Sequence, residues 1–80
     1  MENKTATKNQ YIDTVKIESL RKSRGYSVSY VNKTVLGYSG RNQWSRKMRG
    51  EVAFLIEDLV LLANLFNVRV DDLLIKGGRL

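Results

Sequence analysis

Leu59, Leu62, Ala63 and Phe66 recur at i, i+3, i+4 and i+7, the repeat of a helix with one buried stripe, and predict a helix over 54–66 that Asn67 ends. Upstream, Ile12, Val15, Ile17 and Leu20 fall at mixed three- and five-residue spacings, enough for one apolar stripe on a first helix over 11–24. Gly25 stops it. Val28, Val31 and Val35 stand at i, i+3 and i+7 and predict a second helix over 27–36 with Ser27 as its N-cap. Valine is a modest helix former, so packing must hold that segment. A last short helix is predicted over 70–75, with Asp71 and Asp72 in its first turn, where carboxylates suit the positive end of the helix dipole.

Between the second and fourth of these lies a stretch of a different kind. Residues 39–50 read as a short basic helix, with Ser39 able to cap its first turn and Gly50 supplying the left-handed stop. Gly37-Tyr38-Ser39-Gly40 is the turn that leads into it. Its one large apolar side chain, Trp44, is expected to face the core, which turns Arg41, Asn42, Gln43, Ser45 and Arg46 outward. That set matches the hydrogen-bonding edges of bases in a DNA major groove, Arg for guanine and Asn or Gln for adenine. The stretch is therefore expected to be a recognition helix.

Charge strengthens this picture. The net charge is +6, and between Glu18 and Glu51 no acid occurs while Arg21, Lys22, Arg24, Lys33, Arg41, Arg46, Lys47 and Arg49 do. Such a block suits a polyanion. The chain has no cysteine and no histidine, which removes disulfides, thiolate chemistry, the usual zinc sets and His-based triads. No enzyme, no metal, no cofactor and no small-molecule substrate are expected. The apolar run over 52–66 is broken by Glu57 and Asp58 and falls short of the roughly 20 residues that a bilayer requires. It belongs to a core rather than a membrane, and a cytoplasmic location is expected.

Eighty residues suit one domain, expected over 11–76. Residues 1–10 are polar with Lys4 and Lys8 and read as a disordered basic leader; 77–80 read as a flexible tail. Leu61, Leu65, Leu73, Leu74 and Leu80 give more apolar surface than the predicted core stripe uses, and suggest a homodimer contact.

Leu20-Arg21 with Gly25, then Ser27, then Trp44-Ser45-Arg46-Lys47-Met48-Arg49-Gly50, then Leu59, Leu62, Ala63, Phe66 and Val68, form an ordered series over about residues 12–75. This series resembles the lambda-repressor-like, Cro/repressor-type (XRE) helix-turn-helix family. The resemblance implies a compact all-α, five-helix domain whose second and third helices form the helix-turn-helix. With Trp44 in the position of the family's buried apolar residue, it places base reading on Arg41, Asn42 and Arg46, flanked by Gln43 and Ser45. It also places phosphate contacts at Ser27 and Val28 and at Arg49 and Gly50. Lys47 joins these on charge, and Tyr38 as a phosphate-bonding or corner-covering side chain.

The chain departs from the family's pattern at several places. Val28 stands where a phosphate-binding Gln is usual, and Asn32 where Ala is usual. The segment between Val35 and Trp44 is slightly long, and Met48 replaces a Glu that would pair with Arg21, leaving Arg21 available to a phosphate. Leu55 and Arg69 stand where capping Ser is common, so the last two helices are expected to start loosely. The function implied is a sequence-specific regulator of transcription on double-stranded DNA, a small phage or prophage repressor or Cro-like protein acting as a homodimer. An antitoxin holding a toxin, or a protein-binding antirepressor or phage inhibitor on the same fold, are the alternatives.

Overall fold

The computed structural model describes residues 11–75. Among them the chain is mostly helical and contains no strand. Four helices, α1 (Thr14–Ser23), α2 (Tyr30–Val35), α3 (Gln43–Met48) and α4 (Ile56–Phe66), are followed by one 3-10 turn, Val70–Leu73. The expected leader over 1–10, the tail over 77–80 and Leu80 lie outside the described residues.

Asp13 opens α1, its carboxylate accepting the Lys16 N–H at 3.0 Å, and Gly25 closes it at φ +77°. Ile17 is fully buried, and Ile12 and Leu20 pack against the core around it. Val15, expected in the same stripe, is 79% exposed. At 3.6 residues per turn, positions two apart lie roughly 200° round the helix, so Val15 and Ile17 cannot share a buried face. Ile12 reaches the core from outside the helix, in an antiparallel bridge to Leu74. The adjoining bonds, Asp13 N–H to the Leu73 carbonyl and Ile75 N–H to the Tyr11 carbonyl, both 2.9 Å, join the two ends of the described chain.

Ser27 caps the next helical turn as expected, its hydroxyl accepting the Tyr30 N–H at 3.0 Å. From Tyr30 onward α2 is wound as a π-helix, closed by the Leu36 N–H on the Val31 carbonyl at 2.9 Å. Val31 and Asn32 are buried on its inner side. The basic helix starts later than the sequence predicts: α3 begins at Gln43, and Ser39 lies exposed in the preceding turn rather than capping it. Gly50, at φ +83°, ends it.

Leu59, Leu62, Ala63 and Phe66 of α4 form the centre of the core, joined by Ile17, Val31, Trp44 and Leu73. Asn67 takes the left-handed conformation at φ 59° after the last turn. Neither Leu55 nor Arg69 caps its first turn with a side chain, as expected without a Ser there. Asp58 accepts the Leu55 N–H at 2.8 Å and Asp72 the Arg69 N–H at 3.0 Å, so a carboxylate three residues inside each element supplies the reciprocal half of a capping box. In place of a helix over 70–75 there is the single 3-10 turn, which buries Leu73 completely. Leu65 and Leu74 also pack against the core, so of the leucines expected at a dimer contact only Leu61, 39% exposed, lies at the surface among the described residues. No helix among the described residues is long and apolar enough to cross a membrane.

Candidate nucleic-acid interface

The geometry of α3 is set by Trp44, which is 3% exposed and meets Phe54 edge to face with ring centroids 6.5 Å apart. With the indole inside, Arg41, Asn42 and Arg46 are exposed, and none of their side chains makes a hydrogen bond or ion pair among the described residues. Together with Gly40 and Gln43 they line one open concavity at the start of α3. Gln43 is half-buried, and its amide oxygen is buried without a hydrogen-bond partner among the described residues. Ser45 is half-buried too, and lines a second concavity with Glu18, Val28, Trp44, Met48 and Arg49.

Asn32 positions this helix. Its side-chain oxygen accepts the Trp44 N–H at 3.1 Å and its amide nitrogen donates to the Gly40 carbonyl at 2.8 Å. The Trp44 N–H is one of the donors a helix start leaves without an internal partner, so Asn32 replaces the missing cap from a different helix. Asn32, at the position where the resemblance would place Ala, thus has a structural role.

Lys47 is the clearest correction. Expected as a phosphate contact, it is instead 2% exposed, with Nζ 2.9 Å from an Asp58 carboxylate oxygen and donating to the Ala53 carbonyl at 2.7 Å. The ammonium also stands over the Tyr38 ring, 4.9 Å from its centroid. Tyr38, a further expected phosphate contact, donates its hydroxyl to the other Asp58 oxygen at 2.6 Å. Burial, then the Asp58 bond, raise the Tyr38 phenol above its ordinary 10.0. Both residues fasten the basic helix to the start of α4.

The remaining expected phosphate contacts fall around the rim. Ser27 is exposed and Val28 half-buried at the entry to α2, while Gly50 is buried and offers only backbone. Arg49 is exposed and paired with Glu51 through bonds of 2.8 and 3.3 Å. That pair raises the Arg49 guanidinium and lowers the Glu51 carboxyl, each chiefly through the hydrogen bond between them. An exposed pair of this kind contributes little to folding and exchanges readily for another anion. Arg21 is not available to a phosphate: it bonds Glu18 at 3.1 Å through Nε and donates to the Tyr26 carbonyl at 2.6 Å. Glu18 replaces the partner that Met48 cannot be.

Two residues to which the sequence assigned no contact, one of them the Lys33 of the basic block, also lie here. Ser29 and Lys33 line a third concavity with Val28, Asn32 and Arg41. Their signal in the sequence was the acid-free block that contains them both.

Comparison of the chain with protein-family models, with curated proteins and with solved structures returned no match.

Proposed function

We propose that the protein is a sequence-specific, double-stranded DNA-binding regulator of transcription, with α2, the glycine turn and α3 acting as a helix-turn-helix of the Cro/repressor type. On this proposal the 3-10 turn Val70–Leu73 takes the place of the expected fifth helix. The reading is supported by one orientation above all: Trp44 is 3% exposed, while Arg41 and Asn42 just before α3 and Arg46 within it are exposed, with no side-chain hydrogen bond or ion pair among the described residues. Unpaired Arg and Asn on one outward face suit base edges, and the surrounding acid-free block supplies sequence-blind attraction to phosphates. Gln43 lines the same concavity, although its unpartnered amide oxygen is buried and reaches a base donor only if the side chain rotates outward. In this reading the protein acts in the cytoplasm as a small phage or prophage repressor or Cro-like protein.

Binding as a homodimer would place two copies of α3 in successive major grooves, on half-sites about one helical turn apart. Among the apolar side chains that α4 leaves at the surface, Ile56 at 74% and Val60 at 42% exposure lie one turn apart, with Leu61 at 39% beside Val60, and would be covered by a protein partner. The same surface supports the second reading, an antitoxin or antirepressor that grips another protein. Selection of bound sequences from a random duplex pool tests the proposal: it predicts enrichment of a two-fold symmetric site. Recovery of unenriched sequence, or no retained duplex at all, would reject it.

A further inference from the structure

The cleft between α2 and the turn entering α3 has features of its own. Lys33 and Arg41 approach it from two elements, Ser29 adds a hydroxyl, and no acidic residue lines it. Neither cation makes a side-chain hydrogen bond or ion pair among the described residues, and no acid occurs in the sequence between Glu18 and Glu51 to neutralise them. Two like charges held around one concavity repel each other, and an anion between them relieves that repulsion.

The cleft is also preformed. Asn32 lies at its floor, 2% exposed, and its amide is spent on the Gly40 carbonyl and the Trp44 N–H. Those bonds fix the chain leading to Arg41 against the helix carrying Lys33.

From these observations we infer that Ser29, Lys33 and Arg41 form a phosphodiester-binding site that clamps the DNA backbone beside the base-reading side chains. The inference rests on the DNA-binding reading above, and adds a contact that the helix-turn-helix resemblance does not assign. Arg41 is shared between this cleft and the concavity of Asn42, Gln43 and Arg46, so a phosphate held here fixes the height of α3 in the groove. The ligand is an anionic phosphate oxygen, and the source is the duplex.

The test is a salt titration of duplex binding by the full chain, followed by fluorescence anisotropy, for wild type, Lys33→Gln, Lys33→Arg and Arg69→Gln. Circular dichroism confirms that each variant is folded, since Lys33 and Arg69 are both exposed. Lys33→Gln is expected to weaken cognate and random duplexes by the same factor and to make the log-log salt slope shallower by about 0.9 per bound protomer. Lys33→Arg and Arg69→Gln, the second removing one charge outside the cleft, are expected to keep the wild-type slope. A wild-type slope for Lys33→Gln, or the same change for Arg69→Gln, overturns the site while leaving DNA binding intact. Failure of wild type to bind any duplex overturns the DNA-binding reading and the site with it. Saturation of the Ser29 and Lys33 amide shifts by inorganic phosphate alone would overturn the assignment to the duplex backbone.

Discussion

Asn32 caps the helix of Trp44 from outside that helix: its Oδ1 accepts the Trp44 N–H at 3.1 Å, while its Nδ2 donates to the Gly40 carbonyl at 2.8 Å. Both polar ends of one buried amide are used, on the two sides of the turn that delivers the basic helix. Asn32→Ala removes the cap and leaves the buried Trp44 N–H and the Gly40 carbonyl without this partner. A loss of about 1–3 kcal/mol in urea unfolding is expected. A change below about 0.5 kcal/mol, the scale of an ordinary surface substitution, would show that the bonds carry no weight.

Lys47 and Asp58 make a second tie, buried on both sides at 3% and 4% side-chain exposure. Removing one member leaves the other as an uncompensated buried charge, so Lys47→Met is expected to cost about 3–5 kcal/mol of stability. Where the variant remains folded at low temperature, the salt slope of the proposed DNA binding should equal that of wild type, because the ammonium is buried against Asp58. A stable Lys47→Met with a shallower slope would return Lys47 to the phosphate-contact role its charge first suggested.

The single tryptophan gives an optical check of the helix orientation. With Trp44 3% exposed, native emission should be blue-shifted and poorly quenched by acrylamide, and should move to longer wavelength on unfolding. Trp44→Ala is expected to cost about 3–5 kcal/mol, through lost burial and the cavity left behind. Emission already at the solvent-exposed wavelength in the native state would place the indole outside.

Glu18 sets an acid-side dependence. The Arg21 hydrogen bond holds its carboxyl below the ordinary 4.5, against the opposing effect of partial burial. The folded state therefore binds this proton less readily than the unfolded chain. The resulting stability is present above 4.5 and is lost as pH falls through the lower folded value. From about pH 5 down to about pH 3, the thermal midpoint of wild type should fall more steeply than that of Glu18→Gln. Parallel curves would show that Glu18 does not contribute.

The apolar stripe of α4 was legible in the sequence because Leu59, Leu62, Ala63 and Phe66 follow the helical repeat without interruption, and Asn67 carries the stop signal in its own residue type. Trp44 was legible for a similar reason, as the one large apolar side chain in a polar helix. Lys47 was not, although it stands three residues from Trp44 and so shares its inward face. Its charge argued for solvent, and only the fold brings Asp58 to it. The cap on α3 escaped for the same reason. Ser39 is the local candidate, but the acceptor used is Asn32, which sequence separates from Trp44 by the whole turn. Ser29, Lys33 and Arg41 share the acid-free block, but only the fold brings the three around one cleft.

The central claim is that the outward side chains of α3 discriminate between bases, and Arg46→Ala addresses it most directly. The measurement is the dissociation constant of wild type and Arg46→Ala on the selected duplex and on a random duplex of equal length, at one salt concentration. The account predicts a loss of about 1–3 kcal/mol on the selected site and a much smaller loss on the random one, with sequence preference flattened. Equal losses on both duplexes would contradict it.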